Sequence, residues 1–131
     1  MFYSYDVTIP ANTAESSPAS QRCFLTVGKV TRLIVSFPPG CAGLVHVRIL
    51  AGTHQVWPSN PDGSFRADGY AFEVTEDYSL EVARPELVVQ AWNDDDTYSH
   101  TVTVAFGVER KLAGLARVTA YIPMPRRRVV E

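Results

Sequence analysis

The stretch Thr101-Val102-Thr103-Val104-Ala105-Phe106-Gly107-Val108 decides the fold. In an extended chain Val102, Val104, Phe106 and Val108 share one face, and Thr101, Thr103 and Ala105 share the other. Valine and threonine in this alternation suit a pleated surface with one side buried. The same period of two recurs at 5–9, where Tyr5, Val7 and Ile9 oppose Asp6 and Thr8. It recurs at 30–37 (Thr31, Leu33, Val35 and Phe37) and at 43–50, with Val45, Val47 and Ile49 inward and His46 and Arg48 outward. Further runs are 70–74 (Tyr70, Phe72, Val74), 78–82 (Tyr78, Leu80, Val82), 86–92 and 117–122. Segments 23–27 and 30–37 read as a hairpin around Gly28-Lys29, and 53–57 as a short strand ending at Trp57-Pro58.

Turn chemistry separates these runs. Pro10 stops the first strand. Pro38-Pro39-Gly40 is a stiff turn, because proline fixes φ and glycine restores freedom after it. Asn60-Pro61-Asp62-Gly63 is the strongest turn signal, with proline preset for the second position of a type I turn. Asn93-Asp94-Asp95-Asp96 connects two strands tightly. Residues 11–22 are small and polar and read as a loop or an extended arm. Only 110–116 has helical character, and Gly114 weakens it. The expectation is an all-β chain of about nine short strands, a single antiparallel β-sandwich or jelly-roll-like domain over residues 1–109 with arms at 10–22 and 110–131.

A chain of 131 residues fits one domain and buries enough surface to fold without a staple. Its formal net charge of −2 argues against a nucleic-acid-binding body. The charge is split: the last fifteen residues carry about +3, through Arg117, Arg126, Arg127 and Arg128 against Glu131, which leaves about −5 on the rest. A basic tail on an acidic body suits an acidic partner surface, and it equally suits a solubilising end. Ten of the twelve cationic side chains are arginine, the better residue for paired interfaces. Cys23 and Cys41 are too few for a disulfide framework and are expected as buried free thiols. No charged-then-apolar segment opens the chain, and no apolar run approaches the ~20 residues of a membrane helix. Synthesis and folding in the cytosol are expected.

Candidate chemistry is sparse. His46, His54 and His100 are the three histidines; the first two lie on neighbouring segments, but the His-x-His of a cupin metal site is missing. Asp94, Asp95 and Asp96 lack the alternate spacing and glycine of a calcium loop and read as a solvated turn capped by Asn93 and Thr97. Glu73, Glu76, Asp77 and Glu81 offer carboxylates, yet Glu73 and Glu81 fall at outward strand positions where charge is ordinary. There is no Gly-x-Ser-x-Gly elbow and no phosphate-cradling glycine loop. Trp57, Trp92, Tyr70 and Tyr98 would make a sugar-stacking platform if they were exposed together. No enzymatic role and no cofactor are expected.

Several motifs together carry a resemblance. They run from Ile9-Pro10-Ala11-Asn12-Thr13 through Phe37-Pro38-Pro39-Gly40-Cys41-Ala42-Gly43-Leu44-Val45-His46-Val47 and His54-Gln55-Val56-Trp57-Pro58. They continue with Asn60-Pro61-Asp62-Gly63-Ser64-Phe65, Asp68-Gly69-Tyr70 and Ala91-Trp92-Asn93-Asp94-Asp95-Asp96-Thr97. Over roughly residues 5–108 the chain resembles small β-rich proteins of tailed-bacteriophage structural gene clusters. It is also similar to the capsid decoration proteins of thermophilic long-tailed phages. Residues 110–131 depart from the resemblance.

The resemblance implies a virion structural protein without catalytic residues. Such a protein is made in the host cytoplasm, sits on the outer capsid surface and clamps the major capsid protein against DNA pressure, commonly as a homotrimer. Neither nucleic acid nor membrane is implied as a partner. Strand-prone Arg117–Ile122, including Tyr121, suits addition to a neighbour's sheet edge, and Arg126, Arg127 and Arg128 suit pairing with acidic capsid residues. The competing readings are a carbohydrate- or receptor-binding module of a phage tail or fibre, and a small cupin-type metal enzyme.

Overall fold

The structure is a computed structural model, and it describes residues 1–110. Eight strands form: β1 Phe2–Ile9, β2 Ala19–Phe24, β3 Gly28–Phe37, β4 Val45–Ala51, β5 His54–Trp57, β6 Tyr70–Leu80, β7 Glu86–Asn93 and β8 His100–Arg110. They make two antiparallel four-stranded sheets, in the orders β1-β8-β3-β6 and β2-β7-β4-β5. Successive strands β1 to β4 alternate between the sheets and the last strands return to sit inside them, which is jelly-roll connectivity in a β-sandwich.

The alternating faces meet in one core. Val102, Val104, Phe106 and Val108 of β8 bury against Leu33, Val35 and Phe37 of β3 and against Val45, Val47, Ile49, Leu87 and Val89 from the other sheet. Burying an apolar side chain of this size stabilises by roughly 1.5–3 kcal/mol, so this interior supplies the main drive to fold. Aromatic side chains stitch both open sides of the sandwich. On one side the Tyr5 hydroxyl donates to the Phe24 carbonyl at 2.7 Å, and the Tyr3 hydroxyl meets that of Thr26. On the other, Trp57 of β5 donates from Nε1 to Glu76 Oε1 of β6 at 2.9 Å and packs edge-on against Tyr78.

Several local readings change. Segments 23–27 and 30–37 are not a hairpin: β2 pairs with β7, while β3 pairs with β6 and β8 in the opposite sheet. Residues 25–27 cross between sheets, and Gly28 enters β3 so close to β8 that a Cβ there would lie 2.1 Å from the Glu109 carbonyl oxygen. Thr31 does not share the buried face of Leu33. A bulge between Val30 and Arg32 rephases β3, so Val30 is inward before it and Leu33, Val35 and Phe37 after it. The runs 70–74 and 78–82 merge into β6, whose register against β3 shifts at the same bulge, and Val82 lies exposed beyond it.

Residues 10–22 are not a free arm. Residues 19–22 open β2, and the loop before it is tied down: Thr13 exchanges both backbone hydrogen bonds with Asn93, and the Asn12 amide donates to the Asp95 carbonyl. Eight strands replace the expected nine among the described residues. Of the arm expected at 110–131, Arg110 instead ends β8; the rest, with Arg117, Tyr121, Ile122, Arg126, Arg127 and Arg128, lies outside the described residues, as does the remainder of the weakly helical stretch 110–116.

Candidate functional site

At one end of the sandwich the outer face of the β2-β7-β4-β5 sheet carries a polar depression of about 490 Å³, lined by Glu15, His46, Asp62, Ser64, Arg66, Trp92 and Asp94. Its floor is a cross-strand pair. His46 of β4 lies directly opposite Trp92 of β7, and their rings stack with centroids 5.0 Å apart and planes 2° from parallel. One step along, Arg48 places its guanidinium 4.9 Å from the Trp92 ring centre, donates to Gln90 at 2.9 Å and reaches Glu15 at 3.4 Å. Outward-facing Trp92 is therefore only 7% exposed, roofed by two cationic-capable neighbours.

The wall of the depression is the loop between β5 and β6. Asn60–Gly63 closes as the expected turn, with the Gly63 amide donating to the Asn60 carbonyl at 2.8 Å. The Gln55 side-chain amide is directed at the carbonyls of Pro58, Asn60 and Gly63 and fixes the loop from beneath. Phe65 then exchanges both backbone bonds with Val47, at 2.8 and 2.9 Å, like one residue of an added strand beside β4. Strand alternation turns Phe65 inward and Ser64 outward, beside His46. Ser64 Oγ lies 2.8 Å from His46 Nδ1, and Asp94 Oδ2 lies 3.1 Å from His46 Nε2. A carboxylate can only accept, so Nε2 carries the proton; Nδ1 of the neutral ring is then an acceptor for the Ser64 hydroxyl. The imidazole is 13% exposed and the Asp94 side chain 57%.

A second histidine–aspartate pair braces the same end. His100 Nε2 lies 2.8 Å from Asp95 Oδ2, and the Asp95 carboxylate also accepts from the amides of Thr97 and Tyr98. These bonds, led by the one with His100, hold the Asp95 carboxyl below the usual carboxylate range. Beneath them Asn93 is the one buried polar side chain among the described residues. It donates to the carbonyls of Ile9 and Tyr98 and accepts from the Asp95 amide.

The remaining sequence candidates fall elsewhere. His54 sits at the far end of β4–β5 opposite Ala51, five residues or roughly 17 Å along the strand from His46, so the two do not converge. Asp94, Asp95 and Asp96 turn to different partners, namely His46, His100 and the Thr97 hydroxyl, and Asp95 is not a solvated turn carboxylate. Among the described residues no group of three or more His, Cys, Asp and Glu is placed to hold a metal ion. Glu73 pairs with Arg32 at 2.6 Å, Asp77 with Lys29 at 3.3 Å, and Glu76 accepts from Trp57.

Trp57 is 2% exposed and Trp92 is roofed, so no tryptophan platform faces solvent. Cys23 and Cys41 are free and buried, and burial pushes the Cys23 thiol up to about 12. Neither is a ready nucleophile. Ser64 was not legible as a site residue, because the three members of its hydrogen-bonded chain come from separate elements with no local motif. No protein-family model matches the chain, and no curated protein matches it in sequence.

Proposed function

We propose that this protein is a virion structural protein of a tailed bacteriophage. It decorates the outer surface of the head, fastening major capsid subunits against the pressure of packaged DNA. Its role there is mechanical, and neither nucleic acid nor membrane is its partner. The motif resemblance of residues 5–108 supports this reading. The observation that carries it is the uneven distribution of charge in the sequence on either side of Arg110. Among the described residues the last strand of the two sheets ends at that residue. Beyond it lie five of the twelve cationic residues and one of the fourteen anionic ones, leaving an acidic body and a basic remainder.

The jelly-roll body supplies a stiff block closed on both open sides by aromatic contacts. The residues after Arg110 supply the fastening side chains. Arg117, Tyr121 and Ile122 add to a neighbour's sheet edge, and Arg126, Arg127 and Arg128 pair with acidic capsid side chains. A homotrimer on the shell multiplies these weak contacts through avidity. Fold alone does not separate this reading from a sugar-binding module, since jelly rolls serve both. The burial of Trp57 and Trp92 weighs against the sugar reading.

The test is a truncation. A chain ending at residue 116 should melt at the temperature of the full chain, because every described strand is retained. It should lose most of its binding to expanded heads stripped of decoration. Truncated protein that binds those heads as tightly as the full chain refutes the fastening role of 117–131. Sedimentation that gives only monomers at micromolar concentration refutes the trimer.

A further inference from the structure

We propose that Ser64, His46 and Asp94 form a nucleophilic relay that takes short acyl groups from esters of polar alcohols. The inference goes beyond the fastening role and does not depend on it. The depression lies at the end of the sandwich where β8 begins, opposite the end where it finishes at Arg110.

Three observations carry the relay. The first is protonation geometry. Asp94 fixes the proton on Nε2, which leaves Nδ1 facing the Ser64 hydroxyl at 2.8 Å, the arrangement a general base needs to take that proton. The ring nitrogens are used in the opposite sense from many serine hydrolases, but their donor and acceptor roles are equivalent. The second is rigidity. The His46 ring lies flat on Trp92, and Ser64 is held by the backbone exchange between Phe65 and Val47, so base and nucleophile meet without reorganisation. The third is an available cation. Arg66 lines the same depression and has no ion pair among the described residues, so its guanidinium can face a developing oxyanion.

The lining also sets the substrate. Trp92 is its one aromatic and the other lining side chains are polar or charged, so a long acyl chain finds no apolar slot. Ser64 Oγ attacks the ester carbonyl carbon as its proton passes to His46 Nδ1. The tetrahedral oxyanion collapses, the bond to the alcohol oxygen breaks, and the alcohol leaves with the proton from Nδ1. Water then attacks acyl-Ser64, giving its proton to Nδ1 and returning it to Ser64 Oγ as the carboxylic acid departs. The sum is ester plus water giving acid plus alcohol. Ser64 and His46 are the catalytic residues, and Asp94 is a positioning residue.

The test uses the full chain, a fluorophosphonate probe and p-nitrophenyl acetate. Intact mass should show one adduct, peptide mapping should place it on Ser64, and acetate should be released with turnover. Ser64→Ala should abolish both with its melting temperature kept. His46→Gln should slow labelling at least a hundredfold, the scale of general base assistance. Asp94→Asn should slow it at least tenfold with the fold intact, and Asp94→Glu should restore part of the loss. No adduct above that of Ser64→Ala, an adduct on another residue, or labelling indifferent to His46 and Asp94 overturns the proposal.

Discussion

Asn93 ties three parts of the chain into the end of the sandwich that carries the depression. Its side chain donates to the Ile9 carbonyl at the end of β1 and to the Tyr98 carbonyl before β8, and accepts from the Asp95 amide. It is 1% exposed, so water does not replace any bond that is removed. Replacing Asn93 by Leu keeps the number and branching of the side-chain heavy atoms and deletes all three bonds. At about 1 kcal/mol net for each bond the loss is about 3 kcal/mol. That is a large fraction of the 5–15 kcal/mol that holds a domain together. At ~4 °C per kcal/mol for a domain of this size, the melting temperature should fall by ~12 °C. Urea unfolding reads the loss directly: the midpoint should drop with the slope unchanged. Asn93→Ala should lose at least as much, because it adds a cavity. If Asn93→Leu lies within 0.5 kcal/mol of the parent, the bonds are not what holds this end, and the reasoning fails.

The carboxyl of Asp95 is depressed in the folded chain, whereas in the unfolded chain it titrates near ~3.9. Its stabilising share is therefore full above that pH and is lost as pH falls through the folded value. Asp95→Asn should flatten stability across this acid window in melts taken from pH 5 downward; an unchanged acid profile contradicts the pair with His100. Cys23, raised to about 12 by burial, should resist iodoacetamide at pH 8 in the native chain and react once unfolded, as read by intact mass; rapid native alkylation contradicts its burial. Gly28→Ala should cost about 2–4 kcal/mol. The new Cβ meets the Glu109 carbonyl, and at φ +156° a non-glycine residue adds strain. A melt equal to the parent's shows that β3 and β8 do not pair so closely there.

Residues whose side chains alternate were legible because periodicity reports burial one strand at a time. The valines of 102–108, 45–49 and 7–9 all point as the sequence indicates. Pairing partners were not legible, because alternation is the same whether the neighbouring strand belongs to one sheet or the other. That is why the hairpin at Gly28 dissolved into a crossing between sheets. The bulge at Val30/Arg32 escaped for a related reason: Thr31 continues a plausible alternation, and only the partners β6 and β8 force the extra residue. The Asn60–Gly63 turn was readable from backbone chemistry alone. The depression was not. His46 showed as an outward residue, but Ser64 and Asp94 acquire meaning only when an irregular loop lies down beside β4 and the turn after β7 folds over it. The floor was hidden too, because the opposition of His46 and Trp92 depends on the pairing of β4 with β7.

The most direct measurement is the position of the protein in purified virions by cryo-electron microscopy of the head. The account predicts density for the jelly-roll body on the outside of the expanded shell, contacting more than one major capsid subunit. Protein found only in the tail or its fibres, or absent from the particle, contradicts it.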